Sequence, residues 1–185
     1  MSGDETESAD RSRAGRAGRV AVTGTPGTGK TTATALLEGE YDVIHLNERI
    51  KSDDDLWSER DADRDTLVAD LDAVRADLGD WSGVLDSHLA HRFAVDRVVV
   101  LRCRPETVES RLESRGEPPE TAAENAESEA LDVVLSEAVA EHGAENVYEV
   151  DATDCDPKAV ADAIRAAIEG EREPSAGTVD FIDYI

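Results

Sequence analysis

Residues 19–32 read RVAVT-GTPGTGK-TT, in which an apolar run leads directly into a glycine-rich segment. From Gly24 to Thr31 the segment follows the pattern Gly-x-x-x-x-Gly-Lys-Thr. The apolar run predicts a short buried strand, and the spacing of apolar residues after Gly29 predicts a helix. A strand, a glycine-rich turn and a helix in this order form the context in which the pattern indicates a phosphate-binding loop.

The fixed positions of this segment each have a chemical use. Glycines let the backbone turn tightly so that amide groups point at phosphate oxygens, and the helix N-terminus adds partial positive charge. Lys30 is expected to bridge the β- and γ-phosphates of ATP, and the Thr31 hydroxyl is expected to hold Mg²⁺. The alternative is a glycine-rich turn without function. The residues expected to bind the nucleotide are Gly24, Pro26, Gly27, Thr28, Gly29, Lys30, Thr31 and Thr32.

The composition limits the partners of the chain. Its 185 residues match about one domain. With 43 acidic and 19 basic residues, the net charge is −24, which argues against general electrostatic attraction to nucleic acid or anionic membranes. A folded protein of this charge favours a halophilic cytoplasm, because about 1 M salt shortens the Debye length to roughly 3 Å. An unusually acidic protein from ordinary salt is the alternative.

Cysteines and hydropathy favour a cytoplasmic protein. Cys103 and Cys155 are too few for a disulfide framework and lack metal-ligand spacing, so both are interpreted as small apolar residues in a reducing compartment. No apolar run approaches the roughly 20 residues that span a bilayer. The first residues lack the apolar core of a secretory signal. We therefore expect no membrane partner.

The order of elements predicts an α/β fold with a largely parallel sheet. Apolar runs predict five strands, at 19–23, 41–46, 83–86, 97–102 and 146–150. Helices are predicted after Gly29 and over 66–78, 105–114, 120–141 and 157–169. Between the second strand and the second helix, residues 47–64 are expected to be irregular apart from a helical turn near 48–51.

Asp86 and His88 lie where the third predicted strand ends. Ligands of open α/β sheets bind at this carboxyl edge, and an acid there contacts Mg²⁺ through water in phosphate-binding proteins. A histidine with an ordinary pKa near 6.5 suits proton transfer at neutral pH, so His88 is expected to reach a water or an acceptor hydroxyl. The alternatives are a solvated carboxylate and a structural loop histidine.

Arg111 and Arg115 lie four residues apart on one predicted helix, just before Gly116. Two guanidinium groups beside a hinge suit a closing lid, because a transferring phosphoryl group must be surrounded by positive charge. The alternative is a pair of surface arginines that bridge to acidic neighbours. Arg102 and Arg104, at the end of the fourth strand, are further candidates to face the nucleotide.

With these residues placed, the chain resembles the nuclear-type and archaeal adenylate kinase family, the CINAP-like proteins of small-ribosomal-subunit maturation. The resemblance covers about residues 19–170. It rests on the segments 24–32, 86–88, 102–107, 111–116 and 124–132. It implies a P-loop NTPase fold with a five-stranded parallel sheet flanked by helices, a short NMP-binding segment near 45–78 and a short lid near 115–128. Residues 1–18 are expected to be a disordered leader, and 171–185 a C-terminal tail that docks on the body or on a partner.

The resemblance also implies an activity. It implies Mg²⁺-dependent transfer of the ATP γ-phosphate to AMP, a weaker ATPase activity involving the Walker B histidine, and association with a basic protein of the small ribosomal subunit. The implied catalytic residues are Lys30, Asp86, His88 and Arg115, with Thr31 and Asp86 at the metal and Arg111 and Arg115 at the nucleotide. Lys51 is aligned with an acceptor-binding arginine of the family, and lysine lacks the bidentate fork of arginine.

Two other functions stay open at this point. The first is an ATP-switched ribosome assembly factor, in which AMP phosphorylation is incidental. The second is a kinase for another small acceptor, because P-loop kinases share one architecture. Cations near Lys51 are expected for an AMP kinase, whereas a switch needs only a water placed by His88.

Overall fold

A computed structural model describes residues 18–61 and 66–185. The first 17 residues of the predicted leader lie outside the described residues. The strands are β1 (Arg19–Thr23), β2 (Val43–His45), β3 (Trp57–Asp61), β4 (Thr66–Ala69), β5 (Gly83–Asp86), β6 (Arg97–Arg102) and β7 (Val147–Asp151). The helices are α1 (Lys30–Ala35), α2 (Leu46–Ser52), α3 (Leu71–Leu78), α4 (Pro105–Ser114), α5 (Pro119–Ala130), α6 (Val133–His142) and α7 (Pro157–Ile168).

Five of these strands form one sheet in the order β2-β5-β1-β6-β7, and all of its neighbouring pairs are parallel. The predicted five-stranded parallel sheet flanked by helices is therefore confirmed. Its central strands are continuous apolar runs because helices cover both faces. On one face, Val20 and Val22 pack with residues of α1 and α7. On the other face, Ala21 packs with residues of α2, α3 and α6.

The segment between β2 and β5 contains more regular structure than predicted. A single helix over 66–78 is wrong, because Thr66–Ala69 forms strand β4, which pairs antiparallel with β3. Helix α3 begins only after Asp70, whose side chain accepts hydrogen bonds from the amides of Asp72 and Ala73. In the stretch predicted to be irregular, α2 confirms the helical turn expected near 48–51, whereas strand β3 was not predicted. An apolar spacing compatible with a helix was thus overridden by pairing across the hairpin.

The single helix predicted over 120–141 is also wrong. It is divided into α5 and α6 by Asp132, which has a positive φ of 55°. An aspartate tolerates this left-handed conformation better than most residues. The first helix is shorter than its apolar pattern indicates: it ends at Ala35, and Leu36 is 52% exposed.

The C-terminal tail docks on the body of the protein, which was one of the two predicted outcomes. It passes along β7, where the Ser175 amide donates to the Val147 carbonyl at 3.0 Å. Further on, the Tyr184 hydroxyl donates to Glu109 of α4 at 3.1 Å. The tail therefore joins the edge of the sheet to the helix that carries Arg111.

Within the described residues, no helix has both the length and the apolar character required to cross a membrane.

Candidate functional site

The glycine-rich loop lies at the carboxyl edge of the sheet, between β1 and α1. A Cβ atom on Gly24 would lie 2.4 Å from the Leu101 carbonyl oxygen, so the loop can pass this close to β6 only with glycine. Gly29 adopts a φ of 98° as the residue before α1. Both glycines are therefore required by the backbone path that brings the loop to the N-terminus of α1.

Lys30 lies inside this loop and is only 7% exposed. Its ammonium donates to the carbonyls of Gly24 at 2.7 Å and Thr25 at 2.9 Å. Burial lowers the pKa of Lys30 to about 8, although the negative charges of Asp86 and Glu129 act in the opposite direction. The ammonium is thus still mostly protonated at neutral pH and is held at the centre of the loop.

Thr31 and Asp86 meet beside Lys30. The Thr31 hydroxyl donates to Oδ2 of Asp86 at 2.9 Å. Asp86 is 3% exposed, and its Oδ1 is one of two buried side-chain polar atoms of the described residues that have no hydrogen-bond partner. A buried oxygen without a partner next to a hydroxyl suits a hydrated Mg²⁺, which takes one or two protein oxygens together with phosphate. These two side chains therefore fit the implied ion.

His45 is a site residue that sequence reasoning missed. It lies near the end of the second predicted strand, and its Nδ1 lies 2.7 Å from Oδ2 of Asp86 while its Nε2 lies 2.9 Å from Glu38. Burial lowers its pKa, but hydrogen bonds to Glu38 and Asp86 outweigh burial, so the pKa is raised overall. The sequence places both residues near the ends of predicted strands, but only the pairing of β2 with β5 brings His45 and Asp86 into register.

His88 lies next to the loop, where it lines a cleft together with Pro26. The hydroxyl of Thr23 donates to the backbone carbonyl of His88 at 3.2 Å, which fixes the turn after β5. Burial, and then the charge of Lys30, lower the pKa of His88 to about 4. The imidazole is thus neutral at pH 7, which suits orienting a water better than storing a proton.

Two clefts flank the loop. The first is lined by Thr28 and Gly29 of the loop, Thr32 of α1, and the predicted pair Arg111 and Arg115. The Arg111 guanidinium donates to the Gly27 carbonyl at 3.2 Å. The positive charge of Arg115 contributes to lowering the pKa of Lys30. Both arginines therefore lie where the sequence predicted positive charge around the loop.

The cysteines differ in their surroundings. Cys103 is buried, as an apolar residue would be. Cys155 is exposed, at the first cleft, and both cysteines are free thiols, as expected.

The second cleft lies on the Pro26 side of the loop. Besides His88, it is lined by Leu67 of the β3–β4 hairpin and by polar residues of α5 and the turn before it. These polar residues are Glu117, Thr121, Glu124, Asn125 and Ser128. The loop thus separates a cleft with two arginines from a cleft with two carboxylates.

Arg102 does not face the loop as a candidate phosphate ligand. It is 1% exposed, and its guanidinium is hydrogen-bonded to Glu129 at 2.8 Å and to Glu149 at 2.6 Å. Arg104 is an exposed residue that pairs with Asp154 at 3.6 Å. Arg102 is therefore held in the interior by its bonds to buried carboxylates and does not contact the nucleotide site.

Lys51, the predicted acceptor-binding residue, is exposed on α2. It is not among the described residues that line either cleft. On the same helix, Arg49 pairs with Asp77 at 2.6 Å. The structure therefore brings together the residues of the loop, Asp86, His88 and the two arginines, but does not bring Lys51 to them.

Comparisons with known proteins identify the family of the chain. A family model described as an AAA domain matches residues 20–132. A protein of Natronomonas pharaonis named "Putative adenylate kinase" is 64% identical over 168 residues, which cover 90% of this chain and 99% of that protein. A protein of the same name from Halobacterium salinarum is 58% identical over 169 residues, with 90% and 99% covered. Both organisms are halophiles.

A solved structure agrees in fold. The sulfotransferase of Alicyclobacillus acidocaldarius aligns with a TM-score of 0.52 over 89% of this chain and 86% of that chain. The sequence identity is 10%, so the likeness concerns the fold alone.

Proposed function

Since the chain belongs to the archaeal family whose members carry the name "Putative adenylate kinase", we propose that it is a Mg²⁺-dependent kinase that transfers the γ-phosphate of ATP to AMP. The observation that carries the proposal is the arrangement of two clefts on either side of one phosphate loop. A phosphoryl transfer needs a donor and an acceptor site that meet at one cation. Lys30 is that cation.

ATP is proposed to occupy the first cleft with its phosphates on the loop. The amides of the loop and the ammonium of Lys30 would then hold the β- and γ-phosphates. Thr31 and Asp86 would hold Mg²⁺, which neutralises charge on the phosphates when it is bound. Arg111 and Arg115 line this cleft and would add positive charge around the transferring group.

AMP is proposed to occupy the second cleft, on the side of Pro26 and His88. Thr121 and Asn125 offer neutral hydrogen-bonding groups there, whereas Glu117 and Glu124 would repel a misplaced phosphate. The phosphate of AMP is therefore proposed to face Lys30 rather than α5. Lys51 remains a proposed acceptor contact, which would require α2 to move toward the cleft.

The ATPase activity that accompanies the proposed kinase would use a water in place of AMP. His88 lines the acceptor cleft, and its low pKa of about 4 leaves a neutral ring to orient that water. We expect His88→Ala to lower ATP hydrolysis about 10-fold more than transfer to AMP, because AMP brings its own oriented nucleophile. Initial rates with ATP alone and with ATP plus AMP measure the two losses.

His142→Gln is the matched control for this histidine, because His142 bonds the His91 carbonyl instead of lining the cleft. It should leave the ratio of the two rates unchanged. Equal loss of both rates in His88→Ala would contradict a water-orienting role.

A second candidate function is an ATP-switched assembly factor that binds a basic protein of the small ribosomal subunit. The net charge of −24 and an exposed run of acids at Asp53, Asp54 and Asp55 favour a basic partner. In this function ATP would be hydrolysed to ADP and phosphate to release the partner, and AMP would have no role.

The two functions are separated by a turnover assay in molar KCl. ATP alone is compared with ATP plus each nucleoside monophosphate, with ADP and inorganic phosphate measured separately. The kinase predicts ADP formation stimulated at least about 10-fold by AMP, since the acceptor completes the reacting pair. The proposed kinase would be rejected in favour of the switch if ADP formation equals phosphate release and does not change when any monophosphate is added.

A further inference from the structure

A buried carboxylate, Glu129 of α5, contacts the phosphate loop at Thr25. Its Oε2 accepts a hydrogen bond from the hydroxyl of Thr25 at 2.5 Å. Its Oε1 accepts from the guanidinium of Arg102 at 2.8 Å and from the amide of Cys103 at 3.1 Å. Glu129 is 2% exposed and Thr25 is 1% exposed, so water does not compete for these bonds.

Arg102 continues the chain of contacts to the edge of the sheet. Besides Glu129, it donates to Glu149 of β7 at 2.6 Å and to a carboxylate oxygen of Asp132. Glu149 is 2% exposed, so its carboxylate is also desolvated. Because a buried carboxylate is costly without partners, the positions of Glu129 and Glu149 are set by the one guanidinium that they share.

The C-terminal tail completes this set of contacts. The Thr178 amide donates to Oε2 of Glu149 at 2.6 Å, and the Val179 amide donates to the same oxygen at 3.4 Å. The ring of Phe181 covers the guanidinium of Arg102 at 5.5 Å. The tail therefore supplies the remaining partners of Glu149 and covers Arg102 from outside.

These contacts connect the tail to the loop that would bind phosphate. The Thr25 hydroxyl donates a hydrogen bond to Glu129, while the Thr25 carbonyl accepts one from Lys30. We propose that Glu129 is a positioning residue that fixes Thr25 in the phosphate loop, and that residues 178–181 hold Glu129 in place through Arg102 and Glu149. Nucleotide binding and tail docking are then linked, and each strengthens the other. The inference rests on the proposed function only in taking the loop as the nucleotide site.

The test measures hydrogen exchange of the Thr178 and Val179 amides in the full chain, in molar KCl. The probe is the β,γ-imido analogue of ATP with Mg²⁺, which binds without turnover. Saturating analogue should slow exchange in the tail about 5-fold, at the lower end of usual coupling between sites. Thr25→Val removes only the loop hydroxyl, and at saturating analogue it should bring this ratio to about 1.

A second variant tests the link in the other direction. Phe181→Ala should raise KM for ATP about 5-fold and leave kcat within about twofold, measured well below its unfolding temperature. Tyr184→Phe is the matched control: it removes a hydrogen bond of the same tail to Glu109 and contacts neither Arg102 nor Glu149. It should retain both the exchange ratio and KM.

Two results would overturn the inference. One is a hydrogen-exchange rate of the Thr178 and Val179 amides that does not change when the analogue binds. The other is a lower unfolding temperature in Phe181→Ala with KM unchanged, which is what a purely structural tail predicts. Failure of the proposed kinase is distinguishable, since linkage of the analogue to the tail does not require AMP-stimulated turnover.

Discussion

Replacing Lys30 with alanine is expected to reduce turnover of ATP about 100-fold or more, both with and without AMP, because one ammonium stabilises the charge on the γ-phosphate in either reaction. The buried position of Lys30 supports a large effect. Its ammonium is held between the Gly24 and Thr25 carbonyls at the centre of the loop, and no second lysine lies nearby in sequence. Initial rates at saturating ATP in molar KCl measure the loss.

Lys158→Ala is the control for this change. Lys158 lies on α7, where its exposed ammonium pairs with Asp162, so turnover should be unchanged. Circular dichroism checks that both variants are folded. Near-normal turnover in folded Lys30→Ala would show that the phosphate site has been assigned to the wrong loop.

The second large effect is expected on stability. Arg102→Met should lower the free energy of unfolding by about 3–5 kcal/mol, because it leaves two buried carboxylates without their shared cation. Methionine fills much of the space of the arginine stem, so lost packing is a minor part of the effect. Denaturant titration in molar KCl measures the change. A chain of this length should also lose about 2–4 °C of unfolding temperature per kcal/mol.

Arg104→Met provides the matched surface comparison. Arg104 pairs with Asp154 at 3.6 Å, and both side chains are more than half exposed. Exposed pairs of this kind contribute at most about 1 kcal/mol. Equal stability of the two variants would contradict the assignment of Arg102 to a desolvated cluster.

The phosphate loop and the sheet could be predicted because their signals are local. The pattern from Gly24 to Thr31 lies within eight residues, and its strand and helix adjoin it. The apolar runs of β1, β5 and β6 indicate buried strands without knowledge of their partners. Asp86 could be placed by the same reasoning, since its strand ends at the edge where ligands bind.

The remaining parts depend on residues far apart in the chain. The strand β4 carries an apolar spacing that fits a helix, and only pairing with β3 decides its structure. Arg102 is the last residue of its strand, where a phosphate ligand could also lie. However, its guanidinium is buried and bonded to carboxylates 27 and 47 residues away. His45 could not be linked to Asp86 before β2 was known to lie beside β5. Sequence spacing alone contains none of these pairings.

The position of the tail along β7 has a consequence for association between copies of the chain. β7 is an outer strand of the sheet. The Ser175 amide donates a hydrogen bond to the Val147 carbonyl, and the Arg172 guanidinium donates one to the Glu149 carbonyl. An uncovered outer strand offers such groups to a strand of another molecule. Molar salt screens the repulsion that a net charge of −24 would otherwise provide between copies. Under those conditions we expect the covered edge at β7, rather than the acidic surface, to disfavour strand pairing between copies at this side of the sheet.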